Sequence, residues 1–443
     1  MSIEQHAEVR RRKPRKTAAA GAQSGSETKD VRTRPSGDVA STELARRINR
    51  DVVLELIRLR QPISRVDLAR ASGLQNSTVS SIVEQLDKEG WIFEGEALKT
   101  ARGRRPTQIS LNDNLAMLAA DIRPRRAVVA AVDLNGQLFG HQDLKLTGDV
   151  ELSVMQLGDA LATLRALHTE RSFIGVGICL PGRVQAETGR LVLAPNLHWR
   201  DYGIRETLAN RLGLAVELEN DANACLLSEL WFGHLHGIRN CVLLAISEGV
   251  GASLLVDGHL ISGRRGLAGE FGHICVDPQG PQCECGRRGC WEVFASTRAA
   301  RADYRRSVPG ASELTYRELC SLAEIGDEAA LAALNRQAEA IGRGLRMVNA
   351  ALAPEIILFA GDISYGWKLM LPVIEVECQR ALLAGTCPRL SCTGDGQRAH
   401  LLGAAAVVLQ RRTDYYRSRS AARASNAQHA IRRQPFDNAA PNA

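Results

Sequence analysis

The spacing of apolar residues between about residues 41 and 110 predicts a compact helical segment. One set of apolar positions repeats every four residues, as on one face of a helix, until Pro62 interrupts it. We therefore expect a first helix that ends just before Pro62. Its repeating positions are Leu44, Ile48, Val52 and Leu56.

Two further helices and two strands are predicted after that proline. Ser64 and Asp67 have the spacing of a capping box and begin a short helix. Gly73 supplies a turn, a third helix covers residues 77–90, and two strands follow it. Three helices with a two-stranded wing are the layout of a winged helix-turn-helix, to which we assign residues 41–112.

Strands and helices alternate over residues 113–412, and one unit of this pattern occurs twice. Residues 117–140 and residues 241–262 each predict two strands, a tight turn and a third strand. Two copies of one unit predict two similar lobes facing a cleft, which is an α/β fold of the actin-like, ribonuclease-H-like kind seen in sugar kinases. The turns are Asn135-Gly136 and Asp257-Gly258.

Composition changes this picture mainly at the two ends of the chain. The 443 residues carry a formal net charge of +7, with the basic excess near the N-terminus. Residues 1–40 and 413–443 have few large apolar residues, and we expect both to be disordered tails. The basic N-terminal run indicates either a polyanionic partner or a solubilising tail, and the composition does not separate the two.

The chain has no apolar run of about 18 residues, the length that a membrane helix needs. Its first residues also lack the apolar middle of a secretory signal, so we expect a cytoplasmic protein. Eleven cysteines are present, and three of them crowd between Cys283 and Cys290. In a cytoplasmic chain such clustering favours a metal site over disulfides.

A zinc site is predicted in the loop of residues 273–290. His273, Cys283, Cys285 and Cys290 supply one imidazole and three thiolates, a set that satisfies tetrahedral Zn²⁺. With four protein ligands no position stays open, so the ion is expected to be structural. The alternative is a group of buried free cysteines, which is poor core sequence beside so many glycines.

DNA contact is predicted for the winged helix-turn-helix. The second helix of the motif places its first residues at base edges, and small polar side chains stand there. Arginines on the preceding helix and in the wing are suited to phosphate. The alternative is a winged helix that contacts protein. The predicted DNA-binding residues are Arg65, Arg70, Gln75, Asn76, Ser77, Thr78, Ser80, Ser81, Arg102, Arg104 and Arg105.

Four stretches of the chain resemble the ROK family (repressors, open reading frames, kinases), in its repressor branch. They are GRRP in the wing, GVGICLPGRV at 175–184, ENDANA at 219–224, and GEFGHICVDP with CECGRRGC at 269–290. The resemblance covers about residues 41–412. It implies the same fold as the hydrophobic pattern does.

The resemblance also implies a set of sugar-binding residues. Asp221 stands where the kinase branch has its general base, although taken alone it would be read as a helix cap. His273 is implied to serve both the sugar and the zinc, so that the ion fixes a loop that holds the ligand. The implied sugar contacts are Asn220, Asp221, Glu270, His273 and Glu292, with Gly182, Arg183 and Asn196 as weaker matches.

The nucleotide half of the family pattern is altered in three places. The glycine-rich phosphate loop is replaced at residues 121–126, where Pro124 removes an amide donor. The second phosphate loop, residues 247–249, carries Glu248, whose charge would repel a triphosphate. The loop near the adenosine, residues 360–362, also differs from the family pattern. We therefore predict no catalytic residue and no enzyme, with residual kinase activity left open.

These observations predict a sugar-responsive DNA-binding regulator, a repressor of carbohydrate genes, whose operator affinity is changed by a sugar or sugar phosphate. The expected partners are an operator with an inverted repeat and further copies of the chain, as a homodimer or homotetramer. One alternative is an active sugar kinase that carries a DNA-binding domain. Another is an adaptor whose kinase-like domain binds protein.

Overall fold

A computed structural model describes residues 42–95, 99–100, 103–104, 107–185, 188–233, 235, 237–263, 266–310, 312–380, 387–394 and 396–412. The tails predicted at 1–40 and 413–443 lie outside the described residues, as do Arg102 and Arg105 of the predicted DNA-binding set. Of Arg104, only the backbone is described. No helix within the described ranges is long and apolar enough to cross a membrane.

The first part of the described chain is a winged helix-turn-helix. Ser64 caps its second helix as predicted, because its Oγ accepts a hydrogen bond of 3.2 Å from the main-chain N–H of Asp67. Gly73 ends that helix in the left-handed conformation. The elements are α1 (Thr42–Arg60), β1 (Ile63–Ser64), α2 (Arg65–Ser72), α3 (Asn76–Lys88), β2 (Ile92–Glu94), β3 (Lys99–Thr100), β4 (Gly103–Arg104) and β5 (Gln108–Leu111).

The buried face of α1 is shifted from the one that the apolar repeat predicted. Val53, Leu54 and Ile57 are buried against the other helices, whereas the predicted Ile48 is 37% exposed. Two apolar stripes lie side by side on α1, and the repeat identified the flanking one. The helix itself ends at Arg60, in agreement with the predicted stop before Pro62.

The first lobe is a five-stranded sheet with helices packed on it. Its strand order is β13-β9-β6-β7-β8, in which β6, β7 and β8 are antiparallel while β9 and β13 run parallel to β6. The elements are β6 (Leu115–Arg123), β7 (Arg126–Asp133), β8 (Leu138–Lys145), α4 (Val150–Leu167), β9 (Ser172–Leu180), β10 (Arg183–Gln185), β11 (Arg190–Ala194), β12 (Trp199–Tyr202), α5 (Ile204–Leu212) and β13 (Val216–Asn220).

The second lobe repeats this arrangement. Its strand order is β16-β15-β14-β17-β18, again with three antiparallel strands followed by two parallel ones. The elements are β14 (Cys241–Ile246), β15 (Val250–Val256), β16 (His259–Leu260), α7 (Glu292–Ala295), α8 (Thr297–Ser307), α9 (Tyr316–Glu324), α10 (Glu328–Leu352), β17 (Ile356–Ala360), α11 (Trp367–Gln379) and β18 (Arg389–Cys392). The repeated unit read from the sequence is therefore confirmed as two similar α/β lobes.

Two helices, α6 (Asp221–Trp231) and α12 (Gly396–Arg412), pack against each other and against both sheets. Close backbone contact makes this possible. A Cβ on Gly177 of β9 would lie 1.7 Å from the carbonyl oxygen of Ala404, and one on Gly403 would lie 2.2 Å from that of Ala224. These glycines let α12 approach the first sheet and α6 at backbone distance.

Candidate functional site

A cleft opens where three parallel strands of the first lobe end. The carboxyl ends of β6, β9 and β13 meet at one edge of the sheet, where ligands bind in open α/β folds. A cavity of about 290 Å³ lies there between the lobes. Its lining includes Gly182, Arg183, Val184, Leu193, Pro195, Glu219, Asn220, Asn223, Gly251, Ala252, Ser262, Gly263, Gly266, Ala268, Gly269, Glu270 and His273.

Asn220 caps α6 at the edge of this cavity. Its Oδ1 accepts a hydrogen bond of 2.8 Å from the main-chain N–H of Asn223. The side-chain Nδ2 of Asn223 donates a hydrogen bond of 3.0 Å to Glu219 Oε1. The helix cap is therefore Asn220, and Asp221 is the first residue of the helix. Amide and carboxylate groups thus converge on one wall of the cavity, and such groups bind sugar hydroxyls.

Arg123, the last residue of β6, forms an ion pair with Asp221. Its Nη1 donates a hydrogen bond of 3.2 Å to Asp221 Oδ2, and its Nε lies 2.9 Å from Asp121 Oδ1. Burial opposes the charge on Arg123, but the two carboxylates outweigh it and raise the pKa of the guanidinium. The Asp221 carboxylate is therefore held by a cation from the loop of residues 121–126.

A buried histidine extends this network. His400 Nδ1 of α12 lies 3.6 Å from Asp121 Oδ2, and Asp121 is 2% exposed. Burial would raise the pKa of Asp121, yet the hydrogen bond to His400 and the charge of Arg123 lower it. Burial would likewise lower the pKa of His400, but the neighbouring Cys225 and Asp121 raise it to about 10.

The predicted metal ligands come together in one group. The ligand atoms of His273, Cys283, Cys285 and Cys290 all lie within 4.8 Å of one another. Cys285 Sγ and Cys290 Sγ are 3.6 Å apart, and Cys283 Sγ is 3.6 Å from His273 Nδ1. Ligands about 2.0–2.3 Å from a tetrahedral ion stand about 3.5–3.8 Å apart, so these residues fit Zn²⁺.

The thiols of this group differ in acidity. Hydrogen bonding to the main chain of Arg287 is the main reason that the pKa of the exposed Cys285 is lowered. Burial is the main reason that the pKa of Cys283 is raised and that of Cys290 is raised to about 12. A bound cation favours the thiolate form of all three.

His273 connects the metal group with the cleft. Its Nδ1 faces Cys283, while its Nε2 lies 3.9 Å from Glu270 Oε2, and both His273 and Glu270 line the cavity. The buried Glu292 lies behind the same group, where its Oε2 accepts a hydrogen bond of 3.0 Å from the main-chain N–H of Val250. The four candidate metal ligands and the cavity wall are thus connected through His273.

Most of the predicted sugar contacts lie together, with three exceptions. Asn196 is exposed beside the lining residue Pro195, while Asp221 is half-buried and Glu292 is buried, and neither is among the lining residues. The cavity is also lined by Glu219 and Asn223, which the sequence analysis did not select. The remaining predicted contacts, Gly182, Arg183, Asn220, Glu270 and His273, all line it. Helical spacing was the available signal for Asn223, which lies three residues after the helix cap.

The second and third loops that were predicted to be altered, residues 247–249 and 360–362, make contacts of their own. Glu248 forms an ion pair with Arg301 of α8. Ser247 Oγ accepts a hydrogen bond of 3.0 Å from the main-chain N–H of Asp362, so the second and third loops touch. A Cβ on Gly361 would come within 2.7 Å of the same hydroxyl.

The predicted DNA-reading side chains divide into two groups. At the start of α3, Gln75, Asn76, Ser77 and Ser81 are exposed, while Thr78 and Ser80 are half-buried. The arginines of α2 have partners within the domain. Arg65 pairs with Glu94 at 2.8 Å and with Glu84 at 3.5 Å, and Arg70 pairs with Asp67 at 2.8 Å. For either arginine to contact a phosphate, its ion pair would have to break, or its guanidinium would have to bind the carboxylate and the phosphate at the same time.

Known proteins of similar sequence include sugar repressors. The sequence pattern of the ROK family matches residues 118–411. The xylose repressor of Bacillus subtilis (strain 168) is 29% identical over 378 residues, which are 84% of this chain and 97% of that protein. The DNA-binding transcriptional dual regulator NagC of Escherichia coli (strain K12) is 27% identical over 352 residues, covering 76% of this chain and 86% of that protein.

Solved structures with the same fold include both a regulator and a kinase. A ROK family transcriptional regulator, a homologue of the E. coli MLC protein, matches with a TM-score of 0.74 and 26% identity over 84% of this chain and 98% of that one. A ROK family glucokinase from Streptomyces griseus, in complex with glucose and AMPPNP, matches with a TM-score of 0.60 and 27% identity over 67% of this chain and 99% of that one. The glucokinase matches about as much of this chain as the two lobes occupy, and the regulator matches a larger part of it.

Proposed function

The chain belongs to the ROK family, and from that premise we propose that it is a sugar-responsive DNA-binding repressor of carbohydrate genes. The proposal rests on one juxtaposition within a single chain. A winged helix-turn-helix with an exposed polar start of α3 precedes a two-lobed domain whose cleft gathers Glu219, Asn220, Glu270 and His273. The first part is suited to a DNA groove, and the second is suited to sugar hydroxyls.

We propose that the sugar is bound without phosphoryl transfer. A general base must be able to take a proton from the attacking hydroxyl. At the base position, Asp221 is engaged by Arg123, which comes from the loop where kinases of the family cradle phosphates. In this protein the carboxylate serves as a fixed part of the sugar site. Asn196 and Glu292 stay in the proposed site as residues that approach the sugar when the lobes close.

We propose that His273, Cys283, Cys285 and Cys290 hold a structural Zn²⁺. The donor set and the spacing between ligand atoms support this assignment. When bound, the ion would hold the loop of residues 273–290 and the imidazole of His273 in place. Because His273 lines the cavity, the protein's own metal-binding loop would orient one of its sugar-binding side chains.

The proposed mechanism links sugar binding to the affinity for operator DNA. A sugar draws the two lobes together, and the movement changes how the winged helices of a homodimer or homotetramer face an inverted-repeat operator in the cytoplasm. A coupling free energy of about 1–3 kcal/mol would change operator affinity about 5–150-fold. Residues 41–112 would carry the DNA contacts, and residues 113–412 the sugar and zinc sites.

Two measurements on the full chain test this function. Calorimetry against D-xylose, D-glucose, N-acetyl-D-glucosamine and their phosphates should identify one ligand that binds saturably. Because a ligand that binds the folded state stabilises it by mass action, the same sugar should also raise the melting temperature. Fluorescence anisotropy with a duplex selected from random DNA should then show an operator affinity that this sugar changes. Absence of any sugar binding would favour the adaptor hypothesis. ATP-dependent phosphorylation of the sugar, lost in Asp221→Asn, would favour the kinase.

A further inference from the structure

One helix, α6, runs from the cleft to the winged helix-turn-helix. Its first turn stands in the cleft, where Asn220 caps it, and its last residue is Trp231. Eleven residues at about 1.5 Å each give a rod about 16 Å long. Its far end therefore lies well outside the cleft.

The end of α6 is held by a residue of the DNA-binding domain. The last carbonyl groups of a helix have no partner within the helix. Arg58 of α1 donates a hydrogen bond from Nη1 to the carbonyl oxygen of Trp231, and its Nη2 lies 3.4 Å from that of Leu230. The guanidinium also stands 5.7 Å from the centre of the Trp231 ring. A positive charge at this helix end is favourable for the helix dipole as well.

A second contact ties the end of α1 to the first lobe. Gln61 Nε2 donates a hydrogen bond of 2.7 Å to Asn135 Oδ1, in the turn between β7 and β8. Its Oε1 accepts one of 2.7 Å from the main-chain N–H of Leu111. Two neighbouring polar contacts, one to the first lobe and one to α6, thus add to the buried hydrophobic cluster that the DNA-binding domain shares with the first lobe.

The packing of α6 makes it sensitive to the spacing of the lobes. On one side Ala224 belongs to the same buried cluster as β6 and β7 of the first lobe, and on the other Cys225 and Leu226 pack against β14 and β17 of the second. A sugar that touches both Asn220 and Glu270 contacts both lobes. Closure would therefore shift α6 relative to the first sheet, and a packed helix moves as a unit.

Space beside the joint allows α1 to respond. A cavity of about 280 Å³ separates part of α1 from the loops of the second lobe. Asp51 and Glu55 line it on the α1 side, and Arg239 and Asp257 line it on the lobe side. On this flank α1 faces open space, which leaves room for the helix to move when the Arg58 contact shifts.

We propose that α6 transmits sugar binding to the DNA-binding domain and that Arg58 is the positioning residue through which it does so. This inference rests on the proposed function, because it requires a sugar in the cleft and DNA on the winged helix. Arg58 touches neither ligand. Its loss should therefore abolish the communication between the two sites while leaving each site able to bind.

Operator affinity with and without sugar, measured on the full chain, tests the role of Arg58. The probes are the sugar found by calorimetry and the duplex selected by the wild-type protein. We expect the sugar to change wild-type DNA affinity about 5–150-fold and to change that of Arg58→Ala less than about 2-fold. The sugar affinity of the variant should stay close to that of the wild type. Arg60→Ala is the matched control, since Arg60 is an exposed arginine on the same turn.

Hydrogen exchange provides a readout that a merely structural contact would not move. Sugar should change the protection of α1 amides in the wild type and in Arg60→Ala, and should leave it unchanged in Arg58→Ala. If Arg58→Ala does not fold, Arg58→Met, which keeps much of the aliphatic stem but has no hydrogen-bond donor, replaces it. A folded Arg58 variant with the full wild-type response would overturn the role of Arg58. A wild-type protein without any response would instead overturn the proposed function.

Discussion

Arg123 and Asp221 lie 98 residues apart in the chain and form a hydrogen-bonded ion pair of 3.2 Å at the edge of the cleft. By its resemblance to the ROK kinases, the arginine belongs to the loop predicted to replace their phosphate loop, and the aspartate stands at the position predicted for their base. The pair therefore joins the loop of residues 121–126 to the start of α6. It holds the Asp221 side chain in one orientation at the edge of the cleft.

Replacing Asp221 with alanine should weaken sugar binding. Hydrogen bonds to charged groups contribute about 1.5–3 kcal/mol, so the dissociation constant should rise about 10–150-fold. The variant also leaves Arg123 without this partner, which adds to the loss. Calorimetry on the full chain measures the effect. Asp143→Ala, an exposed carboxylate on β8, is the control, and equal losses in both variants would show that Asp221 has no special role.

Replacing Cys285 with serine should remove the metal and destabilise the fold. We expect about one Zn²⁺ per wild-type chain and little in the variant, because the remaining ligands no longer satisfy a tetrahedral ion. Elemental analysis and thermal unfolding measure the two effects. Cys275→Ser changes an exposed cysteine of the same loop outside the four-residue group. A Cys285→Ser protein with wild-type metal content would contradict the structural assignment.

The charge on His400 should make part of the stability depend on pH. Its pKa is raised above the ordinary 6.5 to about 10, so the folded state favours the protonated ring. The resulting stabilisation is fully present below pH 6.5 and is lost as the pH rises towards 10. His400→Gln should therefore melt lower than the wild type at pH 6.5, by about 2–4 °C for each kcal/mol lost.

The difference in melting temperature between the wild type and His400→Gln should shrink towards pH 10. His141→Gln, at an exposed position on β8, controls for the substitution itself. A difference that stays constant across this range would indicate that packing, and not the charge beside Asp121, is what His400 contributes.

Adding a methyl group at Gly177 should destabilise the junction of β9 and α12. The new Cβ would stand 1.7 Å from the carbonyl oxygen of Ala404, so the backbone must move. Such overpacking costs about 1–3 kcal/mol or more. Chemical denaturation measures the loss. Gly148→Ala, whose Cβ would meet no atom within 4 Å, should change stability by less than about 0.5 kcal/mol.

Local signals in the sequence were enough to predict the elements of the winged helix-turn-helix, the repeated strands and the clustering of His273 with three cysteines. The cap at Ser64 and the two glycine turns depend on neighbouring residues only, and the four metal ligands lie within one short loop. Contacts between distant segments were not predictable in this way. Nothing in the spacing of the chain reveals that Arg123 meets Asp221, or that Arg58 meets Trp231, because their proximity is created by the packing of whole elements.

The choice of buried face on α1 shows the same limit at a smaller scale. Val52 and Leu56 lie on one apolar stripe, and Val53 and Ile57 on the next. Both stripes satisfy helical spacing, and only the neighbouring helices decide which is covered. Likewise Glu219 and Asn223 are ordinary polar residues in the sequence and become cavity-lining residues through the position of α6.

The hydrophobic interior of the winged helix-turn-helix does not end at its own boundary. Ile57 and Leu111 share one continuous buried cluster with Leu115, Leu134 and Val408 of the first lobe. A shortened chain that begins after the winged helix would expose the first lobe's part of this hydrophobic cluster to water. A shortened chain that ends before the first lobe would expose the winged helix's part of it. Either half produced alone should therefore be partly folded and prone to aggregate. An evolutionary exchange of the DNA-binding domain would have to replace the apolar residues of this interface together with the domain.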